Sequence, residues 1–129
     1  MDYCLDWKAE PTEWCVREVV YHLLGTPPGG IHSVVQGILS GELTEYEIWA
    51  NQSNITPDRQ AKDMTGLRED IDVLFHGLEQ ALDSATDDDL SGKPVLAHIR
   101  SRGIGEERNV DVLLERGFAG HWWEHLNQI

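Results

Sequence analysis

The sequence has little of what several classes of protein require. Only two of its 129 residues are cysteines, Cys4 and Cys15, which excludes a disulfide scaffold and a zinc ribbon. No uncharged apolar run approaches the roughly 20 residues that a bilayer span needs. The first residues have neither the basic start nor the apolar stretch of a signal peptide. We therefore expect a cytoplasmic protein with reduced thiols and no membrane partner.

Basic residues are also scarce. Ten Lys and Arg stand against 23 Asp and Glu, for a formal net charge of −13. The local basic cluster of Arg100, Arg102 and Arg108 has Glu106 and Glu107 inside it. Because binding to nucleic acid or anionic lipid depends on clustered Lys and Arg, we expect no nucleic-acid partner.

The chain has the size and composition of one globular domain, which we place over residues 1–129. Alternating apolar residues are nearly absent, and spacings of three and four dominate. They predict a first helix from Thr12 to Leu24, ended by the Gly- and Pro-rich residues 25–30, and a second helix over 31–40. Residues 42–56 fit either a short helix or an ordered loop.

The clearest predicted element is a helix of about 25 residues that begins at Thr56-Pro57 and ends near Ser84. Asp87 to Asp89 close this segment in solvent, and Pro94 to Gly105 are interpreted as a connector. A final helix is predicted from Glu107 to the C-terminus at Ile129. The fold class expected is all-α, an antiparallel helical bundle. The apolar stripe of the long helix consists of Met64, Leu67, Ile71, Leu74, Leu78 and Leu82.

Two histidines in the final helix have the spacing of a metal chelate. His121 and His125 lie four residues apart, and an apolar line through Val110, Leu114 and Phe118 leads to them. A divalent metal satisfies both imidazoles on an apolar face. The alternative is a solvated pair that favours the C-terminal end of the helix dipole. Glutamate stands immediately before the second histidine, so the pattern is not H-E-x-x-H.

His22 adds a third candidate ligand. It follows Cys15 and Val19 at helical spacing on an apolar line of the first helix. A lone histidine on such a face is more often a hydrogen-bonded core residue than a ligand. Three inward histidines on two facing helices favour a metal site instead. His32, His76 and His98 are interpreted as solvent or structural histidines.

The two ends of the chain carry a family resemblance. Glu13-Trp14-Cys15-Val16-Arg17-Glu18-Val19-Val20-Tyr21-His22-Leu23 resembles the "Trp-Ser-Val-x-Glu-Val-x-x-His-Leu" segment of the DinB/YfiT-like superfamily, and Leu5-Asp6-Trp7-Lys8 resembles its lead-in. The segment from His121 to Ile129 resembles its closing "His-x-x-x-His-x-x-Gln-Ile" helix. The resemblance covers essentially the whole chain in the same order.

This resemblance implies a four-helix bundle with a three-histidine site for nickel or zinc. The implied ligands are His22, His121 and His125. Characterised members of the family are metal-dependent enzymes that act with low-molecular-weight thiols, such as bacillithiol S-transferases and mycothiol-dependent maleylpyruvate isomerases. We therefore expect a metal-dependent thiol transferase or isomerase with a small-molecule substrate. Arg17, Arg100 and Arg102 are candidates for binding the carboxylates of the thiol.

The alternative function is a catalytically silent helical dimerisation module with a structural or vestigial metal site. Only thirteen residues precede Trp14, so the first helix of the family is expected to be absent or shortened. We expect a homodimer that covers the resulting gap, with Trp7, Trp14 and Trp49 near the interface. The other solution is that residues 31–40 complete the bundle within one chain.

Overall fold

The computed structural model describes residues 3–127, with Tyr3 described by its backbone alone. The predicted helix end at Ile129 lies outside the described residues. The helices are α1 (Tyr3–Asp6), α2 (Val16–Leu24), α3 (Ile31–Ser40), α4 (Pro57–Gln60), α5 (Met64–Leu82), α6 (Asp87–Gly92), α7 (Val110–Val112), a π-helix (Leu113–Gly120) and α8 (His121–Leu126). The strands are β1 (Glu45–Ile48), β2 (Val95–Ile99) and β3 (Ile104–Arg108).

The three strands form a mixed sheet, so the predicted all-α antiparallel bundle is wrong. The strand order is β1-β2-β3, with β1 parallel to β2 and β2 antiparallel to β3. Pairing aligns Tyr46 with Ala97, and Ala97 with Glu106. The supposed connector contains β2, and the predicted start of the last helix at Glu107 falls inside β3.

Strand β2 shows why the sheet was missed. Val95, Ala97 and Ile99 are buried, whereas Leu96 between them is 38% exposed. This is the alternation of a strand with one face on the core, but it extends over only five residues. The stabilising hydrogen bonds come from β1, some fifty positions earlier in the chain, and from β3. Short strands of this kind depend on their partners rather than on local sequence.

Helix α3 has the predicted bounds and ends at Gly41, whose φ of +82° suits glycine in a left-handed C-terminal turn. The first helix begins at Val16 rather than at Thr12. The start is set by Glu18, whose carboxylate accepts a 3.2 Å hydrogen bond from the Cys15 backbone N–H.

The predicted long helix is divided in two. Thr56 caps α4 by accepting a hydrogen bond from the Arg59 N–H, and Asp63 caps α5 by accepting one from the Gly66 N–H. Two capping residues seven positions apart therefore start two helices. Asp87 and Asp88 are exposed as expected and Asp89 is half-buried, but the three form the first turn of α6.

Helix α5 is the central packing element. Leu67, Leu74 and Leu78 are buried, which confirms the main part of the predicted stripe. Helix α3 packs along α5 within the same chain, and the core also includes Val95 and Ala97 from the sheet. Helix α2 contacts both α5 and α8, and this position places one of its faces against the C-terminal helix.

The π-helix changes the direction in which the last helix presents its side chains. The His121 N–H donates to the Arg116 carbonyl, five residues earlier, and the wider turn changes the helical phase. Phe118 and Trp122 contact the ring of Phe75 on α5, whereas His121 and His125 face α2. The prediction of one apolar stripe leading to the histidine pair is therefore wrong.

Across residues 3–127, the helices are too short or too polar for any of them to cross a bilayer.

Candidate metal centre

The structure brings the three predicted histidines together. His22 is fully buried on α2, and its Nε2 lies 3.1 Å from Nε2 of His121 on α8. His125 is one turn further along α8, with its ring centroid 4.7 Å from those of both other histidines. One ring nitrogen from each histidine lies within 4.8 Å of the other two. Two elements separated by nearly 100 residues thus form one cluster of nitrogen donors.

The spacing of these donors fits a divalent metal ion. Zinc–nitrogen bonds of about 2.0–2.1 Å in tetrahedral geometry put ligand nitrogens about 3.3 Å apart. The 3.1 Å between the Nε2 atoms of His22 and His121 is already close to this value. His121 and His125 are only half-buried, so their rings have room to rotate and close wider separations. Three imidazoles leave at least one coordination position for water or substrate.

A backbone carbonyl selects the tautomer of His22. Nδ1 of His22 lies 2.6 Å from the Gln52 carbonyl oxygen, which only accepts hydrogen bonds, so Nδ1 carries the proton. The Nε2 lone pair therefore points at His121. Outer hydrogen bonds of this kind fix the ring orientation of metal-ligating histidines.

The loop that supplies the Gln52 carbonyl is anchored by Asn54. The Asn54 side-chain amide donates to the carbonyls of Tyr21 and His22 at the end of α2. Gly25 makes this approach possible, because a Cβ there would lie 2.8 Å from Asn54 Nδ2. Asn54 itself has a φ of +62°, a conformation that asparagine tolerates better than most residues. From the sequence, residues 42–56 fit either a short helix or an ordered loop, and neither the Gln52 carbonyl nor Asn54 was predicted to contribute to the site.

Trp14 forms one wall of the cluster. Its ring lies 4.9 Å from His22 and 6.3 Å from His125, and it is nearly parallel to the His125 ring, at 20°. Trp14 was also predicted to lie near a subunit interface, and this stays a prediction. In the structure its ring packs beside two of the three candidate ligands.

The environment of the cluster keeps His22 and His121 neutral. Burial, together with the neighbouring His22 and His125, lowers the pKa of His121 to about 4. Burial also lowers the pKa of His22, although its hydrogen bond to Gln52 opposes this effect. Neutral imidazoles have the lone pairs that metal coordination requires, so both residues are suited to ligation at neutral pH.

Other residues singled out in the sequence lie elsewhere. Arg17 is a buried structural residue that pairs with Asp6, and Arg100 pairs on the surface with Glu47. Cys15 is buried at the start of α2, and burial raises the pKa of its thiol, so the thiol stays protonated. The exposed side chain of His76 agrees with its predicted role as a solvent histidine.

Comparisons with protein-family models, with curated proteins and with solved structures found no match to this chain. The DinB-like ligand set therefore stays a prediction, and the geometry of the three imidazoles is what supports it.

Proposed function

We propose that the protein binds one divalent metal ion, zinc or nickel, through His22, His121 and His125. The observation that carries this proposal is the convergence of three imidazoles from α2 and α8, each with one ring nitrogen within 4.8 Å of the others. Three nitrogen donors from histidine suit zinc and nickel better than magnesium or calcium, which prefer oxygen. The resemblance to the DinB/YfiT-like superfamily supports the same ligand set.

We further propose that the site is catalytic, in a metal-dependent transferase or isomerase that uses a low-molecular-weight thiol. A bound divalent metal supplies Lewis acidity, which lowers the pKa of a coordinating thiol or water. His121 and His125 border a cavity, which gives a small molecule access to the cluster from that side. The Gln52 carbonyl orients the ring of His22, and Trp14 packs beside that ring. Cys4 and Cys15 are free thiols, which supports a reducing compartment, the cytoplasm.

Metal binding is tested by elemental analysis after the purified protein is stripped with a chelator and dialysed against zinc or nickel. We expect about one metal ion per chain in the wild type. His121→Ala and His125→Ala should lose most of it, because two imidazoles hold a divalent ion much more weakly than three. His76→Ala, an exposed histidine on α5, is the matched control and should retain full stoichiometry. Equal metal content in all variants would contradict the proposal.

Catalysis is tested separately with metal-loaded protein. Cysteine and N-acetylcysteine are offered with monobromobimane, and the fluorescent conjugate is followed over time. We expect the zinc or nickel form to accelerate conjugation and His121→Ala to abolish the acceleration. Full metal binding without acceleration by any thiol and electrophile pair in a broader screen would favour the silent dimerisation module instead.

A further inference from the structure

A cavity lined by arginines adjoins the histidine cluster. It has a volume of about 610 Å³, and His121 and His125 form part of its wall. Arg102, Arg108 and Arg116 line it as well, and we refer to it as the arginine cavity. A volume of this size accommodates a small metabolite. The arginines and two of the candidate metal ligands therefore face the same space.

The arginine cavity is unusual in its charge. The chain carries a net charge of −13, yet three of its ten basic residues line this one cavity. Glu115 and Glu124 also lie in its wall, and Glu106 pairs with Arg108 and Arg116, so three carboxylates balance the three arginines before any metal is bound. A divalent metal on the histidines would add two further positive charges. With the metal bound, the cavity is therefore net positive, and a site of this sign attracts anions despite the acidic surface around it.

Arg108 is the best-placed anion-binding group. Its side chain is only 9% exposed, and its buried Nε has no hydrogen-bond partner among the described residues. The nearest carboxylate oxygen, Glu106 Oε1, is 3.5 Å from this Nε and is also 3.3 Å from Arg116 Nη1. One carboxylate oxygen is thus shared by two guanidinium groups. Among residues 3–127, the one hydrogen bond of the Arg108 side chain is long, 3.4 Å from Nη1 to the Tyr46 hydroxyl.

Buried donors of this kind are normally satisfied by a partner. A guanidinium is planar and matches a carboxylate or phosphate group with two parallel hydrogen bonds. Arg102 adds a second cation, since it is exposed and forms no ion pair within residues 3–127. The hydrogen-bond donors that lack partners in the arginine cavity therefore suit a small anion, either a planar carboxylate or a tetrahedral phosphate.

We propose that the arginine cavity binds the carboxylate or phosphate group of an anionic small-molecule substrate whose other end faces His121 and His125. The substrate role rests on the proposed function, whereas anion binding by the arginines does not require a metal. The arginines select an anionic rather than a neutral substrate and orient it relative to the histidine cluster.

Calorimetric titration of the zinc-loaded protein tests the proposal with two probes, succinate for carboxylates and phenyl phosphate for phosphates. We expect a Kd below about 1 mM for at least one probe. Arg108→Met should weaken binding about tenfold, because it removes a charge-assisted hydrogen-bonding fork from a largely buried position. Arg116 is more exposed, so Arg116→Met should weaken probe binding about threefold, and this variant tests the proposal if Arg108→Met does not fold. Arg68→Met removes the same charge from an exposed position on α5 and should change binding less than about twofold.

Zinc affinity is measured on the same variants, so that the two proposals fail separately. If zinc binds and neither probe binds, or the cavity variants bind the probes as Arg68→Met does, the arginine cavity proposal is overturned and the metal proposal stands. If zinc fails to bind, the titrations are repeated on the metal-free protein. Probe binding that still depends on Arg108 and Arg116 then supports the anion site and overturns its link to a metal centre.

Discussion

Arg17 ties three parts of the fold together, and its replacement by methionine should be strongly destabilising. The side chain is 3% exposed, and its guanidinium donates to both carboxylate oxygens of Asp6, at 2.9 and 3.3 Å. Nη1 also donates to the carbonyls of Arg59 and Lys62, at 2.9 and 2.5 Å. Methionine keeps the apolar stem but removes every one of these donors.

The expected loss follows from what the missing guanidinium leaves behind. Two carbonyls lose their partner at roughly 1–3 kcal/mol each, whereas Asp6, with its side chain 44% exposed, regains water. Together with the range for breaking a buried pair, this gives a loss of about 3–5 kcal/mol. Arg100→Met is the matched control, because its ion pair with Glu47 is about half exposed on both sides and should contribute at most about 1 kcal/mol.

Urea unfolding of both variants at constant m-value provides the measurement. A free energy of unfolding for Arg17→Met within about 1 kcal/mol of that for Arg100→Met would refute the reasoning that burial, rather than the ion pair itself, sets the contribution. If Arg17→Met does not fold, Arg17→Lys provides the comparison. Lysine retains the positive charge but not the planar guanidinium that donates to several acceptors at once. Arg17→Lys should therefore lower the free energy of unfolding by more than Arg100→Met does.

Three further predictions concern the core, the histidine cluster and assembly. Leu74→Ala should lower the free energy of unfolding by about 2–5 kcal/mol, because Leu74 is 2% exposed. Val73→Ala, at a 63% exposed position, should change it by less than about 0.5 kcal/mol. Equal losses in urea unfolding would contradict the predicted stripe. The metal-free protein should melt at a lower temperature as pH falls from about 6.5 toward about 4, because unfolding returns the His121 pKa from about 4 to 6.5 and the unfolded state binds the extra proton. Scanning calorimetry should show a weaker pH dependence in His121→Ala, and an unchanged dependence would count against the buried neutral imidazole. We also propose a homodimer, because Trp7 is 69% and Trp123 is 68% exposed. Light scattering should give twice the 14.6 kDa mass of one chain, and a measured mass of one chain would rule the homodimer out.

The site illustrates what local spacing can and cannot predict. The separation of His121 and His125 by four residues and the apolar line that contains His22, together with the family resemblance, predicted that the three imidazoles share one site. The Gln52 carbonyl that selects the His22 tautomer had no such signal, because any residue supplies a backbone carbonyl. Arg17 and Arg108 look alike in the sequence, yet Arg17 is hydrogen-bonded to Asp6 and to backbone carbonyls. Arg108 lines a cavity, and its Nε has no hydrogen bond among the described residues, only a 3.5 Å ion pair with Glu106.

The sequence by itself determined the elements whose apolar residues repeat over several turns, namely α3 and the buried face of α5 around Leu74. Helical hydrogen bonds connect residues four apart, so the pattern and the structure share one local segment. The sheet depends on the tertiary structure, because β1 pairs with β2 although helices α4 to α6 lie between them in the sequence. The phase of the last helix was decided there too, since the π-helix before His121 turns Phe118 toward α5 and the histidines toward α2. A prediction from local spacing assumes that one helical period continues along the whole segment. The π-helix breaks this assumption, because its wider turns shift the side chains that follow it.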